Sequence, residues 1–287
     1  MSASTLRDLF EVLLSSIIRE ISQQDPADLR IRRRAEPIKD ADVLGLFKDR
    51  LITQYSRIEK FWSVLGFCPH RLIEARAYNG DSRSWETFAG IGLEQHAVDL
   101  ILTSPPYATA LPYIDTDRLS ILVLDGLTSS QRRPLEYGLI GSREITPRER
   151  TSLEEQFIND TPDISKDIME FISSLHGDML RGDVGFRRRN VPALLLRFFS
   201  DMKAVFSNCQ KVLKPGGEFM IVIGDNTTTV DNKVKRIPTV DFVQLIAEDL
   251  GLELVERIPI TVTTENLVHM RNAITENMVL RMRQRTN

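Results

Sequence analysis

Apolar positions along the chain change period several times, and each change marks an element. Leu9, Phe10, Leu13, Leu14, Ile17 and Ile18 recur at helical spacing and predict a helix over residues 6–21; residues 41–67 predict a second. The run Val98-Asp99-Leu100-Ile101-Leu102 is short, β-branched and leucine-rich, which reads as a buried strand. A weaker strand is predicted over residues 73–78, ending in the turn Asn79-Gly80-Asp81-Ser82-Arg83. Residues 118–124 read as an amphipathic-to-apolar helix. Residues 194–213 read as a longer one that stops at Lys214-Pro215-Gly216-Gly217, with a strand over residues 218–223 behind it. A helix over residues 239–250 ends at Gly251, and residues 252–261 and 276–283 form two strands suited to an antiparallel edge.

This order is most of a doubly wound α/β sheet, with an N-terminal helical extension over residues 1–70 and the sheet domain over residues 71–287. Residues 128–190 are the least regular stretch, rich in Arg, Glu, Asp, Pro and Gly, with helical pieces at 153–158 and 164–175. Long segments of this kind inside compact domains are usually functional, so it is read either as a recognition element or as a variable surface insertion.

The strand at residues 98–102 runs directly into Thr103-Ser104-Pro105-Pro106-Tyr107. Two prolines force the chain open into a rigid loop at the carboxyl end of a strand, which is where open α/β sheets place their chemistry. These residue types suit methylation of an exocyclic amino group on a nucleobase. The lone pair of that nitrogen is delocalised into the ring, so acceptors must hold its protons before it becomes nucleophilic. Ser104 supplies one acceptor; the Pro105 carbonyl, followed by a peptide without an N–H, supplies another. Tyr107 offers a ring on which an extruded base stacks. The other reading of the segment is a strand end, a Pro-Pro turn and a packing tyrosine.

Ser-Pro-Pro-Tyr after an apolar strand resembles motif IV of the amino-methyltransferases that act on DNA, in the form associated with cytosine-N4 enzymes. The resemblance implies an α/β fold of the incomplete Rossmann-like type and an S-adenosylmethionine cofactor. It implies Ser104, Pro105, Pro106 and Tyr107 as the catalytic loop, and Asp81 and Thr103 as cofactor-binding residues; the other reading of Asp81 is a turn aspartate that satisfies its own backbone. Asp225 and Asn226, after the strand at 218–223, either line the target-base pocket or cap a turn. The segment from Lys214 to Gly217 resembles the family's structural link between helix and strand. The implied reaction is site-specific methylation of DNA within restriction-modification chemistry. The alternatives are an adenine-N6 or RNA amino-methyltransferase, and a non-catalytic DNA-binding or regulatory subunit on the same scaffold.

The family's glycine-rich cofactor turn is not in its usual place. Phe88-Ala89-Gly90-Ile91-Gly92 has the Phe-x-Gly-x-Gly form, but a polar stretch precedes it and about half a dozen residues separate it from the next strand, too few for the helix that such a turn opens. It is therefore read as a decoy. The chain resembles the C-terminal half to two-thirds of such an enzyme, and the resemblance implies an upstream polypeptide, separate or continuous, that carries the main cofactor motif.

Composition changes this picture little. With 287 residues, 42% of them hydrophobic, the chain is long enough for a large α/β core, and its net charge of −3 does not by itself point to nucleic acid. The local clusters Arg32-Arg33-Arg34 and Arg187-Arg188-Arg189 do, each as a set of phosphate contacts or as a solvated face. Two distant cysteines and four scattered histidines argue against a metal site or a disulfide framework, and the lack of a signal peptide or membrane-length apolar run predicts a cytoplasmic protein.

Overall fold

The computed structural model describes residues 3–25, 32–64, 75–108, 113–159, 163–185, 187–261 and 276–286. The chain divides into two compact units, one formed by Met1–Ala77 with Pro112–Glu136, the other by Tyr78–Leu111 with Tyr137–Asn287.

The first unit is helical. Helix α1 (Ala3–Ile21) buries Leu13, Ile17 and Ile18, the stripe anticipated from their spacing. Helix α2 (Val43–Val64) meets α1 through the Phe10–Phe47 ring pair, 6.0 Å between centroids, yet buries none of its own side chains. The same unit holds residues 113–124, where Arg19 donates to the Thr116 carbonyl at 2.5 Å and the Ser15 and Ser120 hydroxyls meet at 2.9 Å. Arg34 donates to the carbonyls of Arg19, Glu20 and Ser22, closing the C-terminus of α1. The first basic cluster is thus corrected in part. Arg34 is a helix cap, because the last carbonyls of a helix need donors.

The second unit carries the sheet. After α3 (Trp85–Gly90) comes β1 (Val98–Thr103), and beyond α4 (Tyr113–Leu124) and α5 (Ser129–Gly138), which belong wholly and mostly to the first unit, the chain runs through α6 (Pro147–Ile158) and α7 (Lys166–Arg181). Helix α8 (Val191–Val212) leads into β2 (Leu213–Ile223), a hairpin of β3 (Asn226–Val230) and β4 (Lys233–Ile237), helix α9 (Thr239–Asp249), and strands β5 (Leu252–Thr261) and β6 (Glu276–Gln284). The strand order is β1-β2-β6-β5; β1 runs parallel to β2, and β6 is antiparallel to both of its neighbours. The fold is therefore mixed α/β with an antiparallel C-terminal edge.

Helices α8 and α9 cover one face of this sheet. Phe206 of α8 packs edge-on against Phe219 of β2 with centroids 5.1 Å apart, and Ile221, Ile223, Leu252, Leu280 and Met282 join the same core. Complete burial of such side chains stabilises the unit by about 1.5–3 kcal/mol each. The opposite face is open at β1, where Leu100 and Leu102 are 52% and 67% exposed. A charged cluster crosses that face further along, Glu218 of β2 receiving Arg281 and Arg283 of β6.

Three expectations change. Residues 75–78 are exposed and not in a strand, while 73 and 74 lie outside the described residues; Ala75 and Ala77 have little β propensity and no neighbouring strand to pair with. Residues 128–190 are mainly helical rather than irregular. Thr146 caps α6 by accepting from the Glu149 N–H at 3.2 Å, with Pro147 in the first turn, and α7 buries Ile168, Met169, Ile172, Leu175 and Met179. Lys214-Pro215-Gly216-Gly217 stops α8 as expected, but it then bulges out of β2 between the pairs Val98↔Leu213 and Leu100↔Glu218, with Gly216 at φ +78°. Among the described residues no helix is long and apolar enough to cross a membrane.

The Glu218 cluster yields a pH prediction. Hydrogen bonds from Arg281 and Arg283 hold the Glu218 carboxyl down at about 2, against an ordinary 4.5. A lowered folded value means that the contribution to stability is present above the unfolded value and lost as pH falls towards the folded one. Denaturant titrations should show Glu218→Gln less stable than the parent at pH 7, and the gap closing between pH 4.5 and 2.

Candidate active site

The site begins with register. Parallel pairing matches Thr103 with Ile221, so β1 and β2 leave the sheet at one edge, at Ser104 and, two residues further on, at Gly224. Thr103 shares the covered face with Ile101 and Phe219 and is half-buried. Beyond it Ser104 is exposed, with no side-chain hydrogen-bond partner among the described residues, whereas Pro105 is buried. The loop is therefore anchored at Pro105, next to the Ser104 hydroxyl that it presents to solvent, with Pro106 and Tyr107 half-buried.

Three contacts hold the rest. The half-buried Tyr107 packs against the core, as the packing-tyrosine reading expects, and its hydroxyl donates to Asn277 Oδ1 of β6 at 2.9 Å. The buried Asn226 amide donates to the Ala108 carbonyl, tying the end of the loop to the start of β3. Gly141, at φ +76°, lies so close that a Cβ there would sit 2.9 Å from the Tyr107 carbonyl oxygen. Asn226 thus reaches the loop through its own amide. Asp225 faces away from it, accepting from the Val240 N–H at 3.0 Å in the first turn of α9 and pairing with Arg236. Of the two readings given for this pair, the observed contacts are those of a strut and a helix cap.

Asp81 belongs to a separate network. Its carboxylate accepts from the Arg83 backbone N–H at 3.0 Å and pairs with the Arg83 guanidinium at 2.8 Å, which holds its acidity strong. Arg83 also bonds Asp201 of α8 at 3.1 Å and the Gly138 carbonyl at 2.8 Å. Burial raises the Asp201 carboxyl, and the Arg83 charge opposes that rise. The Asp81 side chain is 49% exposed, and none of these bonds reaches the loop at Ser104.

The glycines of Phe88-Ala89-Gly90-Ile91-Gly92 have a different occupation. Gly92 lies at φ +75°, its N–H donating to Ala89 O at 3.0 Å while Leu93 N–H reaches back to Phe88 O at 3.0 Å. That bond pair is a Schellman closure of α3, which calls for a glycine in the left-handed region. A Cβ at Gly90 or Gly92 would meet no atom within 4 Å, so close backbone approach is not what selects glycine there.

Arg187, Arg188 and Arg189 form a 3-10 turn with the residues that start α8, and all three are exposed. Their side chains have no ion-pair partner among the described residues. Cys209 is buried in α8, its thiol pushed up to about 12 by desolvation, which leaves it unreactive at neutral pH. Cys68 lies outside the described residues. No group of His, Cys, Asp and Glu able to hold a metal occurs among the described residues.

Sequence patterns alone did not mark Asn277, Gly141 or Arg83 as members of these networks. The β3–β4 hairpin was legible in principle, since Asp231-Asn232 separates alternating Thr and Lys-Val-Lys segments.

No protein-family model and no curated protein sequence matches the chain. Among solved structures, the chain is similar to TTHA0409 of Thermus thermophilus, a candidate DNA modification methylase. The match to one structure of that protein has 15% identity and a TM-score of 0.35, covering 72% of this chain and 53% of that one. For its complex with S-adenosyl-L-methionine the identity is 17% and the TM-score 0.35, over 72% and 54%. A selenomethionine form matches over 31% of this chain with a TM-score of 0.26. The chain spans about half the length of the first two. Likeness at this level carries no argument about the reaction, which rests on the loop itself.

The close approach at Gly141 predicts a graded response to alanine. Gly92→Ala meets only the left-handed backbone penalty, about 1–2 kcal/mol. Gly141→Ala meets that penalty and the Tyr107 carbonyl together, so urea unfolding should show the larger loss at Gly141; equal losses would mean that the loop gives way freely.

Proposed function

We propose that this chain is the catalytic-loop half of an S-adenosylmethionine-dependent methyltransferase that acts on the exocyclic amino group of a base in DNA, of the cytosine-N4 type. The observation that carries the reading is a single exposed, unpartnered hydroxyl, Ser104, on a Pro-Pro loop anchored on both sides at the carboxyl edge of a parallel strand pair.

S-adenosylmethionine, when bound, supplies the methyl group. The chain's own residues hold the acceptor. Ser104 Oγ and the Pro105 carbonyl accept hydrogen bonds from the two amino N–H groups of an extruded base, drawing its nitrogen towards tetrahedral geometry as it attacks; the methylated nitrogen then releases one proton to solvent and keeps the other. Tyr107 stacks on the base, its ring already fixed by Asn277, so little ordering remains to be done at binding. Direct transfer needs no covalent enzyme intermediate, and the buried Cys209 thiol is not suited to form one.

The described residues fit the target base better than they fit the cofactor. Asp81 offers a half-exposed carboxylate for the adenosine end, but Gly90 and Gly92 close a helix and supply no turn around the methionine end. The edge position of β1, with Leu100 and Leu102 exposed, supports a further polypeptide segment that adds strands on that side and brings the cofactor turn. The same incompleteness favours a second reading, a DNA-binding subunit that does not itself methylate.

Labelled methyl transfer to DNA, with and without a segment carrying a strand and glycine turn, separates the two. The proposal expects N4-methylcytosine in the assembled form and a fall of about 10²–10³ for Ser104→Ala. Near-parental turnover by that variant would overturn the catalytic role, and N6-methyladenine as the product would move the target. Retarded DNA without any methylated base would establish the binding subunit.

Calorimetry tests the divided cofactor site directly. The isolated chain should bind S-adenosylmethionine weakly. The assembled form should be stabilised by about 2.7 kcal/mol at a ligand concentration 100 times the dissociation constant. Tight stoichiometric binding by the chain alone would show that the described residues suffice.

A further inference from the structure

The geometry points to a second element of the nucleic-acid interface: the β3–β4 hairpin, acting with the Arg187-Arg188-Arg189 turn, is a preformed ribbon for duplex DNA. This inference rests on the reading of DNA as substrate and assigns the hairpin a role that the loop chemistry does not require.

The hairpin is rooted at the candidate site. Only Gly224 and Asp225 separate β2 from β3, and Asn226, the first residue of the ribbon, is bonded to Ala108 at the end of the loop. Five residues per strand carry the tip about 17 Å beyond that root. One side faces the core, burying Asn226, Thr228, Val230 and Ile237. The other presents Thr227, Thr229, Val234 and Arg236, and Val234 is 72% exposed.

The ribbon is held rigid from behind. Asp231 and Asn232 turn at φ +48° and +59°, as a two-residue hairpin with right-handed strand twist requires. The Asp183 N–H donates to Asp231 Oδ1 at 2.6 Å, and a Cβ on Gly182 would sit 2.9 Å from Val230, so the segment after α7 is packed against the tip. Lys235 pairs with Asp178 of α7. Such a ribbon is ordered before it meets a partner, which lowers the entropic cost of binding.

Charge then identifies the partner. Arg187, Arg188, Arg189 and Lys233 are exposed and have no ion-pair partner among the described residues. Asp178 is paired with Lys235 and Arg181, and the carboxylates of Asp183 and Asp231 at the tip are outnumbered by these four cations. Four to six residues link Asp183, at the hairpin tip, to Arg187, Arg188 and Arg189, so the backbones of those cations lie within about 22 Å of it. Over that distance a duplex presents several phosphates on one strand, and a two-stranded ribbon is an element that its major groove admits. In register Lys233 lies opposite Val230 and Val234 lies on the outer face, so Lys233 and the exposed arginines fit phosphates on the rim while Val234 fits a thymine methyl or sugar within the groove.

Fluorescence anisotropy with the whole chain and a labelled duplex, between 50 and 200 mM salt, tests this. Lys233→Ala should reduce the log–log salt slope by roughly 0.9, and the triple alanine variant at 187–189 by up to about three times as much. Val234→Ser should weaken binding and leave the slope intact. These side chains are exposed, so thermal midpoints should stay put and confirm folding. A slope lowered by the arginine variant but unchanged by Lys233→Ala would overturn the hairpin assignment and leave DNA binding standing. Failure of the parent to bind any duplex would overturn the assignment and the DNA reading together, while preference for single-stranded RNA would overturn the ribbon model alone.

Discussion

Parallel register between β1 and β2 is the constraint on which the rest depends. Because Thr103 pairs with Ile221 and β2 runs on through Val222 and Ile223, both strands deliver their connections to one edge of the sheet, with Gly224 two residues beyond the level of Ser104. The Pro105-Pro106 loop and the Asp225-Asn226 turn are therefore neighbours by construction, and the Asn226 amide needs no long reach to bond Ala108. If the pairing slipped by one residue, Ile101 and Thr103 would turn to the open face and the loop would lose its anchor. The bulge at Lys214–Gly217 absorbs the change from helix to strand upstream, so that the register beyond Glu218 is regular. A Cβ at Gly217 would come within 3.2 Å of three backbone carbonyl oxygens, those of Lys214, Asp99 and Val98, so a glycine there keeps the bulge tight against β1.

Legibility followed periodicity. Helices α1, α8 and α9 and strands β2 and β6 emerged from apolar spacing because each buries a face, and burial is what the spacing encodes; α2, β1 and β5 carry the same spacing with little or no burial. The hairpin escaped notice because its inward face includes Asn226 and Thr228, polar residues that give a weak alternation. Residues 128–190 looked irregular for a related reason. Helix α6 is polar and takes its start from the Thr146 cap rather than from a stripe. The loop at Ser104 was recognisable as a motif, but its supports were not. Asn277 lies 170 residues from Tyr107, and nothing local marks a glycine such as Gly141 as a contact for a carbonyl 34 residues away. Long-range partners of this kind carry no sequence period.

The two faces of the sheet divide the labour. Helices α8 and α9 seal one face with aromatic packing, Phe199 lying 5.5 Å from Phe242 and Phe206 5.1 Å from Phe219. The other keeps Leu100 and Leu102 exposed on an edge strand whose outer backbone groups have no sheet partner among the described residues. Parallel strands are rarely stable with an apolar face in water, because their crossover helices normally cover both sides. An uncovered parallel edge with leucines on it is an aggregation hazard unless another element pairs with it or covers it.

A net charge of −3 conceals how the charge is arranged. On the sheet side, Arg281 and Arg283 are neutralised by Glu218, and Arg83 by Asp81 and Asp201, so those cations stiffen the fold and leave little field outside it. At the 3-10 turn and the hairpin tip the balance is reversed, with four cations that have no acidic partner among the described residues. Exposed pairs contribute about 0–1 kcal/mol to stability, so leaving these four unpaired costs the fold little. What it creates is a local excess of positive charge at the hairpin tip, and within about one Debye length such a surface acts on a polyanion despite an acidic whole. Where a charge is left uncompensated is therefore more informative about a partner than the sum of all charges.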